Sequence, residues 1–125
     1  MSDFYDKAGK RLDLIAWARL REKLEYRLVG HFQDERVEIL TLWMGIDRDW
    51  EKTGPPLIFE TSIHVFPGSD VAPEFDGERY YWRTEKEAKE GHEVVVACYR
   101  DGIHPDFPVR DLQEKYSSPA QETLQ

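Results

Sequence analysis

Two stretches constrain the fold more than anything else in the chain. Ile39-Leu40-Thr41-Leu42-Trp43-Met44-Gly45-Ile46-Asp47 is followed, after a polar loop, by Gly54-Pro55-Pro56-Leu57-Ile58-Phe59-Glu60-Thr61-Ser62-Ile63-His64-Val65-Phe66. Two apolar, β-prone runs around a loop rich in Asp, Gly and Pro predict an antiparallel strand pair at the centre of one sheet. In the first run both parities are apolar: Val37, Ile39, Thr41 and Trp43 on one side, Leu40, Leu42, Met44 and Ile46 on the other. A strand covered on one face alternates more cleanly. This one is therefore expected in the middle of a sheet, or beneath a helix or a partner chain. Pro55 and Pro56 cannot donate to a ladder and restrict the residue before them, which fixes an extended entry to the second run.

The remaining segments arrange themselves around that pair. Asp13 can accept from the exposed amides of a first helical turn, and predicts a helix over Leu14 to Leu24 with Trp17, Leu20 and Leu24 on one face. Tyr26 to Gln33 reads as a first strand, joined to the central pair by Asp34-Glu35. Arg79 to Arg83 reads as a short fourth strand. Thr84 with Glu87 is a capping-box pattern opening a second helix, whose inward stripe is Ala88, His92, Val95 and Tyr99. Asp101-Gly102 ends it. The order predicts an α+β fold: an antiparallel meander of three to four strands with two helices packed on one face. Residues 1–107 form one domain in this reading, and 108–125 a polar tail that frays.

Composition bounds the function. At 125 residues the chain can bury a core without staples. The lone Cys98 excludes an internal disulfide and any Cys-rich zinc site, and fits a cytoplasmic setting. Met1-Ser2-Asp3-Phe4 lacks a basic region followed by an apolar run, so no signal peptide is expected, and no segment reads as a membrane helix. A formal net charge of −8 argues against direct nucleic-acid binding, because phosphate recognition needs a basic footprint. Arg19, Arg21, Lys23 and Arg27 cluster, but Glu22 and Glu25 interrupt them, as on a solvated helix face.

Three constellations could bear chemistry. The first is Glu60 with His64 or His92. Glu60, Ser62 and His64 form the polar parity of their strand; Glu60 and His64 stand about 13 Å apart there, too far to share a proton. His92 lies on the inward stripe of its helix, where an imidazole needs a partner for its ring nitrogens. That partner is expected to be a backbone carbonyl, Glu60 or Thr61. Its sharper reading is a general base tuned by a carboxylate, with Asp47 nearby. The second is Asp47-Arg48-Asp49-Trp50-Glu51, three carboxylates in five residues without the calcium-loop pattern. It reads as a solvated hairpin loop in which Trp50 is the informative residue, since an exposed Trp anchors interfaces. The third is Tyr80-Tyr81-Trp82, where alternation places Tyr80 and Trp82 on one face. Core packing and a contact surface both account for such aromatics. No phosphate loop, dinucleotide fingerprint, His-Glu-x-x-His or nucleophile elbow is present.

One wider pattern joins these pieces. Tyr5-Asp6-x-x-Gly9, Trp17-Ala18-x-Leu20, Glu25-Tyr26-Arg27-x-Val29, Thr41-x-Trp43-x-Gly45-x-Asp47, Gly54-Pro55-Pro56-x-Ile58-Phe59-Glu60-Thr61 and Thr84-Glu85-x-Glu87-Ala88-x-x-Gly91-His92 resemble a family of small bacteriophage and prophage proteins. The resemblance covers residues 4–97 and implies an origin more than a chemistry. Arg48 departs from it where a His follows the Asp, which removes an Asp-His pair that would suit a metal. Trp82 and Ser62-Ile63-His64 depart from it as well. Residues and resemblance together give the expectation of a phage-type accessory protein acting by protein–protein contact, host-modulating or counter-defence in role. Trp50, Tyr80, Trp82 and Asp49 are its expected contact residues and a host or phage protein its partner, with no cofactor and no metal. The rival expectations are a small hydrolase-like enzyme using Glu60 and His92, and a structural phage component that forms a homo-oligomer.

Overall fold

A computed structural model describes residues 3–105. The central pair is antiparallel: β4 (Val37–Trp43) lies against β5 (Phe59–Val65), with Thr41 opposite Thr61 and Trp43 opposite Phe59. β3 (Leu28–Gln33) and β6 (Arg79–Trp82) flank them, so the four strands form a meander in chain order. The expected α+β class with an antiparallel meander is what the chain adopts. The tail expected over 108–125 lies outside the described residues.

Helix α3 (Glu85–Asp101) crosses one face of this sheet. Its ends are held as its sequence requires. The Thr84 hydroxyl accepts from the Glu87 amide at 3.1 Å, and the Glu87 carboxylate accepts from the amide of Arg83, one residue before the expected cap. At the other end Gly102, at φ +71°, lets its own amide reach the Tyr99 carbonyl and that of Ile103 reach Cys98. The predicted stripe of Ala88, His92, Val95 and Tyr99 is buried along its length, together with Gly91 and Val96. It meets Val37, Ile39, Thr41 and Trp43 from β4, Phe59, Thr61 and Ile63 from β5, and Tyr80 from β6, all of them buried.

The other sheet face explains the second apolar parity of β4. Leu40 and Leu42 point there and are half-buried. Tyr81 beside them is shielded by the Arg48 guanidinium, whose Cζ lies 4.8 Å from the ring centre.

The amino-terminal quarter departs from expectation in its helices. Phe4–Tyr5 (β1) and Arg11–Leu12 (β2) close a small hairpin through Gly9 at φ +85°. α1 (Leu14–Arg21) is capped by Asp13, whose carboxylate accepts from the Ala16 amide at 2.8 Å, and it stops before Leu24. Residues 24–27 form a separate helical turn, α2 (Leu24–Arg27), where a strand beginning at Tyr26 was expected. The cause is long-range: the Tyr26 hydroxyl accepts from the Lys7 amide at 2.8 Å, and its ring meets Trp43 edge-on at 5.0 Å. Leu24 therefore leaves the Trp17 face and stands exposed. Trp17 anchors α1 on the end of the sheet by donating its indole N–H to the Met44 carbonyl at 3.0 Å.

Candidate functional site

The structure places His92 in a chain of buried polar groups. Its Nδ1 lies 2.8 Å from Thr41 Oγ1, which lies 2.5 Å from Thr61 Oγ1, and that oxygen accepts from Trp82 Nε1 at 2.9 Å. An indole N–H can only donate. The arrangement in which each hydroxyl donates one of these bonds and accepts one then runs from Trp82 to Thr61 to Thr41 to Nδ1. In that arrangement the imidazole proton sits on Nε2. Only 4% of His92 is exposed. Burial holds its pKa below the ordinary imidazole value; Glu93 works against that shift and His31 adds to it.

The backbone is shaped to admit these rings. A Cβ on Gly30 of β3 would stand 2.7 Å from the His92 ring, and one on Gly91 would stand 2.3 Å from Trp82. Both approaches need glycine.

Glu60 does not join this group. It pairs across the sheet with Leu42 and Tyr81, on the face away from α3, so the sheet separates it from His92. Asp47 is not beside His92 in this network either. The hydrolase-like reading of Glu60, His92 and Asp47 loses its geometry, and the expected Glu60 or Thr61 partner of His92 is replaced by Thr41. Among the described residues, no three His, Cys, Asp or Glu side chains gather as a metal site.

The loop between β4 and β5 is built on its acids rather than solvated through them. Asp47 is buried; its Oδ1 accepts from the amides of Asp49 and Leu57, each at 2.9 Å, and its Oδ2 from Lys52 Nζ at 3.0 Å. Asp49 is buried too, and accepts from the Thr53 amide at 2.9 Å, the Thr53 hydroxyl at 3.0 Å and Arg83 Nη2 at 3.2 Å. Arg83 also donates to the Pro55 carbonyl, which ties the Gly-Pro-Pro turn to the end of β6. Burial alone would raise the Asp49 pKa, but the Thr53 and Arg83 bonds outweigh it and hold the carboxyl below its usual range. Lys52 takes a left-handed φ of +56° beneath the tip.

What this frame displays is Trp50, 75% exposed at the tip of the loop. The other expected contact residues lie elsewhere. Tyr80 is fully buried against α3, Trp82 is half-buried beneath Gly91, and Asp49 is occupied inside the loop. Asp49 shapes the loop from within, whereas Tyr80 and Trp82 belong to the packing of α3 on the sheet.

Sequence reasoning named Thr61 as a partner for His92, one hydroxyl too far along, and missed Thr41 and Arg83. Thr41 carried a usable signal, because a Thr on the core parity of a central strand implies a buried hydroxyl needing a partner. Arg83 carried none, since its acceptors come from a loop about 30 residues earlier. Comparison with protein-family models, with curated protein sequences and with solved structures finds nothing that matches this chain. No helix among the described residues is long and apolar enough to cross a membrane.

Proposed function

We propose that this chain is a small accessory protein of phage type that acts by protein–protein contact through the Trp50 loop. Its setting in this reading is the cytoplasm of a bacterial host, and its role is host modulation or counter-defence. One observation carries the proposal: a large aromatic side chain stands in solvent on a loop whose two aspartates are spent on fixing that loop's shape. Exposing a Trp costs hydrophobic free energy, and a rigid Trp loses little conformational entropy when a partner covers it. The sheet that divides Glu60 from His92 gives a general-base mechanism no shared site. The excess of acid groups favours a partner with a basic or neutral contact surface.

The test is affinity capture from bacterial lysate with the wild type, Trp50→Ala and His92→Gln. The reading predicts a specific captured protein that is lost with Trp50→Ala and kept with His92→Gln, provided the latter folds. Capture that is indifferent to Trp50 would refute it.

A further inference from the structure

Helix α1 is apolar on both sides. At about 100° per residue, Ala16, Trp17 and Leu20 share the arc that meets the protein, and Leu14, Ala18 and Ile15 share the opposite arc. Leu14 is 59% exposed and Ile15 64%. Arg21 and Arg19 stand at the two margins of this outer strip, both exposed. The surrounding charge follows the same sense. Residues 3–27 hold seven Lys or Arg against five Asp or Glu, whereas residues 28–105 hold eight against sixteen. A basic amino-terminal unit is thus joined to an acidic body.

The acidic body carries a strip that complements the basic one. On the outer face of α3, Glu87, Glu90, Val94, Ala97 and Asp101 recur at alternating spacings of three and four, so they line one side of the helix. All five are exposed. Lys86, Lys89 and Arg100 lie to one flank of this line. Arg19, Glu90 and Glu93 form no ion pair with another described residue. The lengths agree as well: Leu14 to Arg21 and Val94 to Glu87 are eight residues each, about 10.5 Å of helix from first to last.

We infer that these two strips are the halves of a head-to-tail contact between copies of this chain. The outer face of α1 in one copy lies antiparallel on the outer face of α3 in the next. Leu14 and Ile15 cover Val94 and Ala97, while Arg19 and Arg21 reach Glu87 and Glu90. The contact is heterologous, so a growing chain keeps one free strip at each of its two ends, and assembly proceeds until a ring closes or continues as a filament. It is independent of the Trp50 loop. A surface of this size falls below the roughly 1,200 Å² of a standard interface, so association is weak and rises with concentration.

Sedimentation velocity and light scattering on the full chain, from about 10 μM to about 1 mM, test this at concentrations where weak contacts populate. The weight-average mass of the wild type is expected to climb with concentration and to fall back in 0.5 M salt, because exposed ion pairs are screened. Arg19→Glu and Glu90→Arg, each confirmed as folded by circular dichroism, are expected to remain at monomer mass. Mixed in equal amounts they should associate again in alternation, since the native strips pair with each other and each reversed strip meets its charge-reversed complement on the other variant. The double variant Arg19→Glu/Glu90→Arg should recover self-association. A wild type that stays monomeric throughout overturns the inference. So does self-association that Arg19→Glu leaves unchanged, or a monomer whose α1 face instead binds vesicles of anionic lipid.

Discussion

Gly91→Ala puts the packing of α3 on the sheet to a test of sign. In a helix interior, replacing Gly by Ala ordinarily stabilises by about 1 kcal/mol, through lost unfolded-state entropy and better helix propensity. Here the added methyl would stand 2.3 Å from Trp82 Cη2 and 2.4 Å from Cζ2. Trp82 cannot swing aside freely, because its indole N–H is committed to Thr61 at 2.9 Å. Overpacking of this kind costs about 1–3 kcal/mol, and breaking the indole bond costs about 1 kcal/mol more. Set against the propensity gain, the net is destabilisation of about 2 kcal/mol, or a fall in Tm of about 6–10 °C at this chain length. Urea and thermal unfolding followed by far-UV circular dichroism read it directly. Trp82→Phe in the Gly91→Ala background should restore part of the loss by vacating the space. A Gly91→Ala variant more stable than the wild type would refute the close approach of α3 to β6.

Further expectations follow from the buried polar groups and the loop. Thr41→Val leaves His92 Nδ1 and the Thr61 hydroxyl short of a partner and should cost about 1–3 kcal/mol in urea unfolding, with no change in overall shape. Asp47→Ala strips acceptors from the amides of Asp49 and Leu57 and should cost about 2–4 kcal/mol, whereas Trp50→Ala, at an exposed tip, should stay within about 0.5 kcal/mol of the wild type. Stability should also depend on pH in two windows. His92 has a folded pKa below its unfolded value, so its contribution is complete above about 6.5 and is lost as the pH falls below that point, where the unfolded chain takes up the proton first. Asp34 and Asp49, whose pKa values are also lowered, contribute above about pH 4 and lose that contribution as the pH drops through their folded values. His92→Gln should flatten the upper window and leave the lower one in place.

The parts of this fold that were legible in the sequence are those fixed by local chemistry. Asp13 and Thr84 announce their helices because their side chains satisfy amides three residues on. The stripe through Ala88, His92, Val95 and Tyr99 announces the buried side of α3 because a helix of that length must hide one face. The double-sided apolar pattern of β4 announces a central strand. What remained hidden depends on residues far apart in the chain. Nothing near Tyr26 signals that Lys7 and Trp43 will draw it into a helical turn. Three carboxylates in a loop read as solvated until Leu57 and Arg83 arrive to claim two of them. The parity rule did place Glu60 and His64 away from the core, yet it could not say which hydroxyl His92 would meet across the sheet.

The most direct test of the whole account is the protonation of His92, observed by ¹⁵N–¹H long-range correlation spectra of the imidazole nitrogens between pH 4 and 8. A ring sealed between α3 and the sheet should stay neutral below the ordinary imidazole value of about 6.5, with its proton on Nε2 and Nδ1 accepting from Thr41. A His92 that titrates at or above the ordinary imidazole value, or that carries its proton on Nδ1, would contradict this placement and return the residue to consideration as a reactive group.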